Sequence, residues 1–395
     1  MKSSHWKSTG IEADLLGGAG SLKPRYIMVG GFLGAGKTTA ISKLGQWLVD
    51  RGVKVGLITN DQGRGLVDTA LLRSRGFPTE EITGGCFCCR FDSLMEATKN
   101  LTAATQADVF IAEPVGSCTD LMATVVYPLR RIYGDNFEIC PLSVVLDPIR
   151  AMRVFGLEDG SLFSDKVVYI YRKQVEEADF VVINKVDLVG EERVTLLKAK
   201  LMELYPTKRI FEVSARNGRG MDEWFEAASG SRPLGGQPMD VNYEVYAQGE
   251  ALLGWLNSTL SLTSIETFDP NELVRCFGGF MRDRLASTGA EVAHLKMTFS
   301  PESGLGGMVA MNLVRNDYVS ELTQEMEDWV LGGELVVNLR AEAGPETLEA
   351  ALDDGLRTLR EGQPGLAIRT VHREAFRPGK PTPTHRFDSQ SIPVI

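Results

Sequence analysis

Residues 31–38 read Gly-Phe-Leu-Gly-Ala-Gly-Lys-Thr, and this phrase constrains the fold of the chain more than any other. It matches G-x-x-x-x-G-K-[ST], a pattern that works only between a strand and the helix that follows it. Glycines let successive backbone N–H groups turn inward around an anion, and the helix N-terminus adds its positive end. Both flanks are present, with an apolar run over 26–29 before the phrase and a helical stretch starting near Lys37. Gly31, Gly34, Ala35 and Gly36 are therefore expected to cradle phosphates, with Lys37 neutralising their charge, Thr38 able to ligate Mg²⁺, and Thr39 beside them.

The rest of residues 25–225 fits that start, because short apolar runs alternate with helical stretches as in a parallel sheet wrapped by helices. Strands are predicted over 26–29, 53–59, 109–112, 142–146, 180–183 and 210–213, each short enough to be buried on both faces. Helices are predicted over 38–50, 93–101, 118–133 and 192–204, with a shorter one over 174–178. A stretch dense in Gly, Pro and Ser (SGSRPLGGQP, 229–238) reads as a linker. Beyond it, strands over 241–247, 292–299, 308–314, 335–339 and 366–371 mix with helices over 270–285 and 345–360, which suggests helices on one face of a largely antiparallel sheet. The expected class is α/β: a flexible leader (1–24), a P-loop domain with a mainly parallel sheet (25–228), a linker (229–240), a smaller α+β domain (241–376) and an extended or mobile tail (377–395).

Asn184-Lys185-Val186-Asp187 follows directly on the 180–183 run, about 150 residues after the cradle. At a strand end N-K-x-D reads guanine: the Asp187 carboxylate accepts from the N1–H and the N2 amine, a pair that adenine does not offer. Asn184 would brace the loop, the Lys185 stem would cover the base, and Ser214-Ala215 at the end of the next strand resembles the short backbone contact to guanine O6. The expected nucleotide is GTP. Glu113, just past the 109–112 run, stands where a second acidic group supports Mg²⁺, directly or through water. Asn60-Asp61-Gln62-Gly63 follows the 53–59 run and is the natural switch segment. Asp61 could face the magnesium, the attacking water or a thiolate site, and the sequence leaves these roles open.

That thiolate site is Gly84-Gly85-Cys86-Phe87-Cys88-Cys89, three sulfurs within four residues. Neighbouring thiolates repel unless a soft cation holds them together, so Cys86, Cys88 and Cys89 are expected to bind Zn²⁺ or a similar ion. Three sulfurs leave a fourth position for water, a carboxylate such as Asp61, or a partner's ligand. Cys118, Cys140 and Cys276 are isolated in sequence and read as small core hydrophobes.

Together GGFLGAGKTT (30–39), ITNDQG (58–63), GGCFCC (84–89), EPVG (113–116) and NKVD (184–187) resemble the CobW-like GTPases, relatives of the nickel-insertion GTPases for urease and hydrogenase. The resemblance implies a GTPase whose cysteine motif binds Zn²⁺, Co²⁺ or another divalent metal, with nucleotide state controlling transfer to a client protein. By position, Asp61 falls where members usually have Glu, Asp68 on an acidic switch position, and Gln62 where Phe is common. The second domain departs from the family pattern: it has no histidine-rich run, only the dispersed His294, His372 and His385. His294, alone on a predicted strand, reads as structural.

A net charge of -10 argues against a binder of nucleic-acid backbones, and no apolar run has the roughly eighteen residues of a membrane helix. A cytoplasmic protein is expected. The leading reading is a GTP-hydrolysing metallochaperone for a client metalloprotein whose identity the sequence does not give; a homodimer is one assembly it leaves open. The alternative is a GTP-dependent regulatory or cofactor-loading chaperone of a cobalamin or other metalloenzyme, its metal structural. A P-loop kinase is disfavoured by N-K-V-D. Slow intrinsic turnover is expected, with Arg64 only a weak candidate for a cis arginine finger.

Overall fold

The computed structural model describes residues 23–60, 67–134, 136–230, 239–302, 307–318 and 320–387. The leader up to residue 22 and residues 231–238 of the expected linker lie outside them. So do Asp61, Gln62, Gly63 and Arg64.

The first sheet starts with β1 (Arg25–Gly30), followed by α1 (Lys37–Val49), β2 (Val55–Asn60), α2 (Val67–Ser74), β3 (Thr79–Ile82), α3 (Phe91–Thr105) and β4 (Val109–Glu113). A π-helical turn over Met122–Val126 leads into α4 (Tyr127–Tyr133) and the two-residue β5 (Glu138–Ile139). Then come β6 (Ser143–Leu146), α5 (Pro148–Val154), α6 (Asp165–Glu177), β7 (Phe180–Ile183), α7 (Glu191–Leu204), β8 (Arg209–Glu212) and α8 (Met221–Ala228). Strand order is β3-β2-β4-β1-β6-β7-β8, with β5 beside β1 and every pairing parallel. Helices cover both faces, so β2, β4, β6 and β7 are buried throughout and read as unbroken apolar runs. β1 pairs with β4 on one side and β6 on the other. The connections from β1 and from β6 step across the parallel sheet in opposite directions, and ligands settle at the carboxyl ends of strands at such a point.

The second unit runs α9 (Tyr243–Leu252), β9 (Leu253–Phe268), α10 (Pro270–Ser287), β10 (Glu291–Pro301), β11 (Val309–Leu313), β12 (Glu321–Gln324), β13 (Val330–Glu342), α11 (Pro345–Gly362) and β14 (Leu366–Phe376). Its strands form an antiparallel sheet in the order β12-β11-β10-β13-β9-β14. Alternation sorts the two faces. Leu335, Val337, Leu339 and Ala341 of β13 join Phe277 and Met281 of α10 and Leu352 of α11 in one apolar core. Asn338 and Arg340, between them in sequence, are buried on the opposite, polar face, where Asn338 Oδ1 accepts from the Val67 backbone N–H at the start of α2, at 3.0 Å.

Several expectations are corrected. Residues 241–247 begin a helix instead of a strand, because Asn242 Oδ1 accepts from the N–H groups of Glu244 (3.0 Å) and Val245 (3.2 Å) and caps it. This helix buries Tyr246, Gly249 and Glu250, which are at helical spacing, against α6. The short helix over 174–178 is the end of the longer α6. The helix over 118–133 begins only at Leu121, because residues 114–120 form a loop in which Asp120 has a left-handed φ of 66°. The tail does not hang free over residues 377–387: Phe387 N–H donates to the Ala123 carbonyl at 2.9 Å, and Arg386 pairs with Asp120 at 2.8 Å.

Gly249 marks the crossing of α9 and α6, where an added Cβ would lie 2.5 Å from the Lys166 carbonyl oxygen. Gly249→Ala should therefore force the helices apart and destabilise the protein by about 1–3 kcal/mol in urea unfolding.

Candidate functional site

The loop between β1 and α1 has the shape its glycines demand. Gly31 has φ 130°, and a Cβ there would sit 2.3 Å from the Val145 carbonyl oxygen, so only glycine lets the loop pass β6. Gly34 (φ 78°) and Gly36 (φ 95°) are also left-handed, and Gly36 caps α1. Lys37 and Thr38 are buried in the first turn, whereas Thr39 is exposed on the cavity wall. The Thr38 hydroxyl donates to Glu113 Oε1 at 3.0 Å, bringing together the two residues expected at magnesium. Asn60, one residue past the Thr59–Glu113 register pair, lines the same cavity with a buried Oδ1 that has no partner among the described residues. A hydroxyl, a carboxylate and an amide oxygen make a hard oxygen set that fits hydrated Mg²⁺.

The N-K-x-D segment is fastened to this loop. Asn184 Nδ2 donates to the Ala35 carbonyl (3.0 Å) while its Oδ1 accepts from Ala215 N–H (2.9 Å), which fixes both sides of the base-reading edge. Lys185, with φ 57°, donates to the Gly34 carbonyl at 2.7 Å and pairs with Asp147 at 2.9 Å. Asp187 lines the cavity 4.0 Å from Arg216, which is also paired with Glu321 of β12. Ser214 is buried and its hydroxyl accepts from Asn217 N–H at 3.3 Å.

The cavity holds about 460 Å³ and is closed on its far side by the second sheet, through Trp255, His294, Lys296, Val314 and Tyr318. Sequence reasoning missed this wall. The one available signal was the polar pair His294 and Lys296 inside an otherwise apolar strand. Burial, then the nearby Lys296, Arg340 and Lys37, holds the His294 pKa well below its ordinary range, so the ring is neutral. Asp147, also unpredicted, caps α5 by accepting from Arg150 N–H (3.0 Å) and pairs with Arg315 (3.1 Å). Burial alone would raise its pKa, but Lys185 and Arg315 hold it far below the carboxylate range.

Beside this cavity lies the cysteine loop. The sulfur separations are 2.7 Å for Cys86–Cys88, 3.3 Å for Cys86–Cys89 and 3.6 Å for Cys88–Cys89. All three lie within 4.8 Å of one another, close enough to share one ion of Zn²⁺ size, so the donor set fits a soft divalent metal. Asn60 Nδ2 ties the loop to the end of β2 by donating to the carbonyls of Gly85 (2.7 Å) and Ile82 (3.0 Å). Cys118 is not an isolated core residue as its sequence position suggested: its side chain reaches hydrogen-bonding contact with Cys86 and Cys88. Hydrogen bonds from Cys118, Cys88 and Cys89 hold Cys86 well below the ordinary thiol range against the effect of burial, while Cys89, chiefly through Cys86, is pushed up to about 11. Cys140 is buried in a different apolar cluster, and Cys276 is exposed. Asp61 lies outside the described residues, as does the side chain of Asp68.

The C-terminal segment covers the sulfurs. Thr382 N–H donates to Cys89 Sγ (3.2 Å), Thr384 N–H donates to the Cys88 carbonyl (2.8 Å), and His385 stands edge-on to Phe91 at 5.0 Å.

A parallel sheet whose central strand runs into a glycine cradle, with an acid at the end of one neighbouring strand and N-K-x-D at the end of another, defines a P-loop nucleotide-binding domain. Residues 25–212 match the family described as CobW/HypB/UreG, nucleotide-binding domain. Zinc-regulated GTPase metalloprotein activator 1 of Dictyostelium discoideum is 27% identical over 214 residues, 46% of this chain and 44% of the relative. The zinc chaperone CobW of a Sinorhizobium species is 30% identical over 213 residues (48% and 58%), and the zinc chaperone YjiA of Escherichia coli K12 is 28% identical over 183 residues (43% and 53%). The chain thus spans about half the length of the curated relatives it matches. Among the described residues, no helix is long and apolar enough to cross a membrane.

Two outcomes follow from this geometry. Asp187→Asn replaces an acceptor of the guanine amine by an amide that can donate, so affinity for GTP should fall by about 100-fold or more and affinity for xanthosine triphosphate should rise, read by nucleotide titration. Truncation after Gly379 removes the cover from Cys89, and maleimide labelling of that thiol should speed up by about tenfold, the scale of losing one or two backbone hydrogen bonds.

Proposed function

We propose that the chain hydrolyses GTP and uses the nucleotide state to hold or release a Zn²⁺-class ion at Cys86, Cys88 and Cys89, supplying it to a client metalloprotein. The observation that carries this reading is Asn60, whose side chain grips the Gly85 carbonyl of the cysteine loop while lining the nucleotide cavity. The family match, and relatives named as zinc chaperones and as a zinc-regulated activator, support it.

Hydrolysis joins a water oxygen to the γ-phosphorus and breaks its bond to the β-phosphate oxygen, leaving GDP and inorganic phosphate. Lys37 and the N–H groups of the cradle hold the phosphates, and Asn184 and Asp187 hold the base, so catalysis rests on positioning and charge. Mg²⁺ bound near Thr38 and Glu113 would neutralise charge on the phosphates. With phosphate present, the neighbourhood of Asn60 has a new set of polar partners, and its grip on Gly85 is open to competition.

The burial of Cys86 and Cys88 favours a second reading, in which the metal is structural and the nucleotide state sets contact with a protein partner. Asn60→Ala separates the two. Under the cargo reading the variant still binds GTP and Zn²⁺, but the several-fold difference in Zn²⁺ affinity between the GDP and GTP-analogue forms disappears in competition titrations with a chromophoric chelator. If the unaltered protein shows no such difference, the cargo reading is wrong.

A further inference from the structure

Three sulfurs leave a tetrahedral ion one position short. We propose that Cys118 is the fourth sulfur, so that the ion is enclosed by thiolates drawn from two loops, 86–89 and 114–120. The inference rests on reading the cysteine loop as a metal site, and it concerns a residue that lies outside the C-x-C-C motif.

Placement carries the argument. Cys118 is 1% exposed, and its thiol contacts those of Cys86 and Cys88. An ion between the four would draw Cys89 and Cys118 together as the last edge of the tetrahedron. The loop that presents Cys118 is held on all sides. Gln174 Nε2 donates to the carbonyls of Gly116 (2.9 Å) and Cys118 (2.8 Å), Ser117 donates to Glu250 Oε1 (2.7 Å), and Thr119 N–H donates to the Tyr246 hydroxyl (3.2 Å). A sulfur fixed in this way has little freedom to lose on coordination, which is the condition for a strong ligand. Glu250 is the competing donor from the same side, but its oxygen is hard and already engaged by Ser117, while the other three ligands are soft.

The location of Cys118 has a consequence. It lies five residues after Glu113, whose carboxylate accepts from Thr38, and the C-x-C-C loop is tied to Asn60. The 114–120 loop therefore begins at a strand end that borders the nucleotide cavity, and the 86–89 loop is tied through Asn60 to another. Loading the four sulfurs with Zn²⁺ releases their remaining thiol protons to solvent and leaves two negative charges on the centre, toward which Thr382 N–H already points at Cys89 Sγ.

Zinc K-edge X-ray absorption on the full-length, zinc-loaded, nucleotide-free protein tests this without any variant. Four sulfurs at about 2.3 Å are expected. Three sulfurs and one light atom in the unaltered protein would overturn the proposal and leave the position to Glu250 or solvent. Cys118→Ser should give three sulfurs and one light atom, lower the thiolate-to-cobalt absorption of the Co²⁺ form by about a quarter, and weaken Zn²⁺ binding by about tenfold or more. Cys140→Ser should change none of these, and an equal loss there would count against Cys118. A separate control addresses the parent reading: if the Cys86→Ser/Cys88→Ser/Cys89→Ser variant binds Zn²⁺ as tightly as the unaltered protein, the cysteine loop is not the metal site at all.

Discussion

Asp147 stands at the carboxyl end of β6 with Lys185 2.9 Å away on one side and Arg315 3.1 Å away on the other. Lys185 belongs to the guanine-reading loop and Arg315 to the segment after β11, so one carboxylate joins the nucleotide domain to the sheet that roofs its cavity. Desolvating an acid is costly, and Lys185, Arg315, the Arg150 N–H and the Arg150 guanidinium make this one stable as an anion. Its folded pKa lies below the unfolded value, so the stabilisation is present above the ordinary carboxyl range and fades as acid protonates the group. Lys185 in turn holds the Gly34 carbonyl of the phosphate cradle. Cradle, base loop and second sheet thus meet at one buried carboxylate, and the Arg150 guanidinium beside it reaches the Val292 carbonyl of the second sheet.

The same economy governs the segment between β2 and α2. At its start, Asn60 is bonded to the cysteine loop; at its end, Val67 N–H is bonded to Asn338 in the second sheet. The two described residues that flank residues 61–66 are thus bonded to elements in different parts of the molecule. Asn338 is itself held by Asn257, which also accepts from Arg340, so the polar face of the second sheet is a connected hydrogen-bond network. That explains why a strand as apolar as β13 carries an Asn and an Arg at alternate positions.

Much of this was legible in the sequence where function fixes residue type. Phosphate binding needs glycines at left-handed positions, so residues 31–38 announced both the cradle and its flanking strand and helix. Three sulfurs within four residues are crowded in any fold, so Cys86, Cys88 and Cys89 were recognisable as one group, and their sulfurs do converge. The misreadings share a cause: the deciding interaction was tertiary. Residues 241–247 have a β-like composition but fold as a helix because Asn242 caps them and α6 receives Tyr246 and Gly249. Cys118 looked isolated because its sulfur neighbours are about 30 residues away in sequence, and contacts at that separation leave no local periodicity. Asp147 carried no signal in the sequence, since nothing in a single sequence says which charged residues a second sheet will help to bury.

The two sides of the sulfur site differ in what it takes to open them. On the inner side Cys118 is locked by Gln174, Glu250 and Tyr246, all buried, and moving it would disturb the core shared by α6 and α9. On the outer side the cover at the sulfurs themselves is held by the Thr382 and Thr384 N–H bonds, with the partly exposed Arg386–Asp120 pair, the Phe387 N–H bond to Ala123 and the His385–Phe91 contact anchoring it further along. At about 1 kcal/mol for each such bond, lifting that segment takes only a few kcal/mol, well within the range of local opening in native proteins. On the proposed reading of the cluster as a metal site, exchange of an ion would proceed past Cys89, the one cysteine of the cluster that is not fully buried.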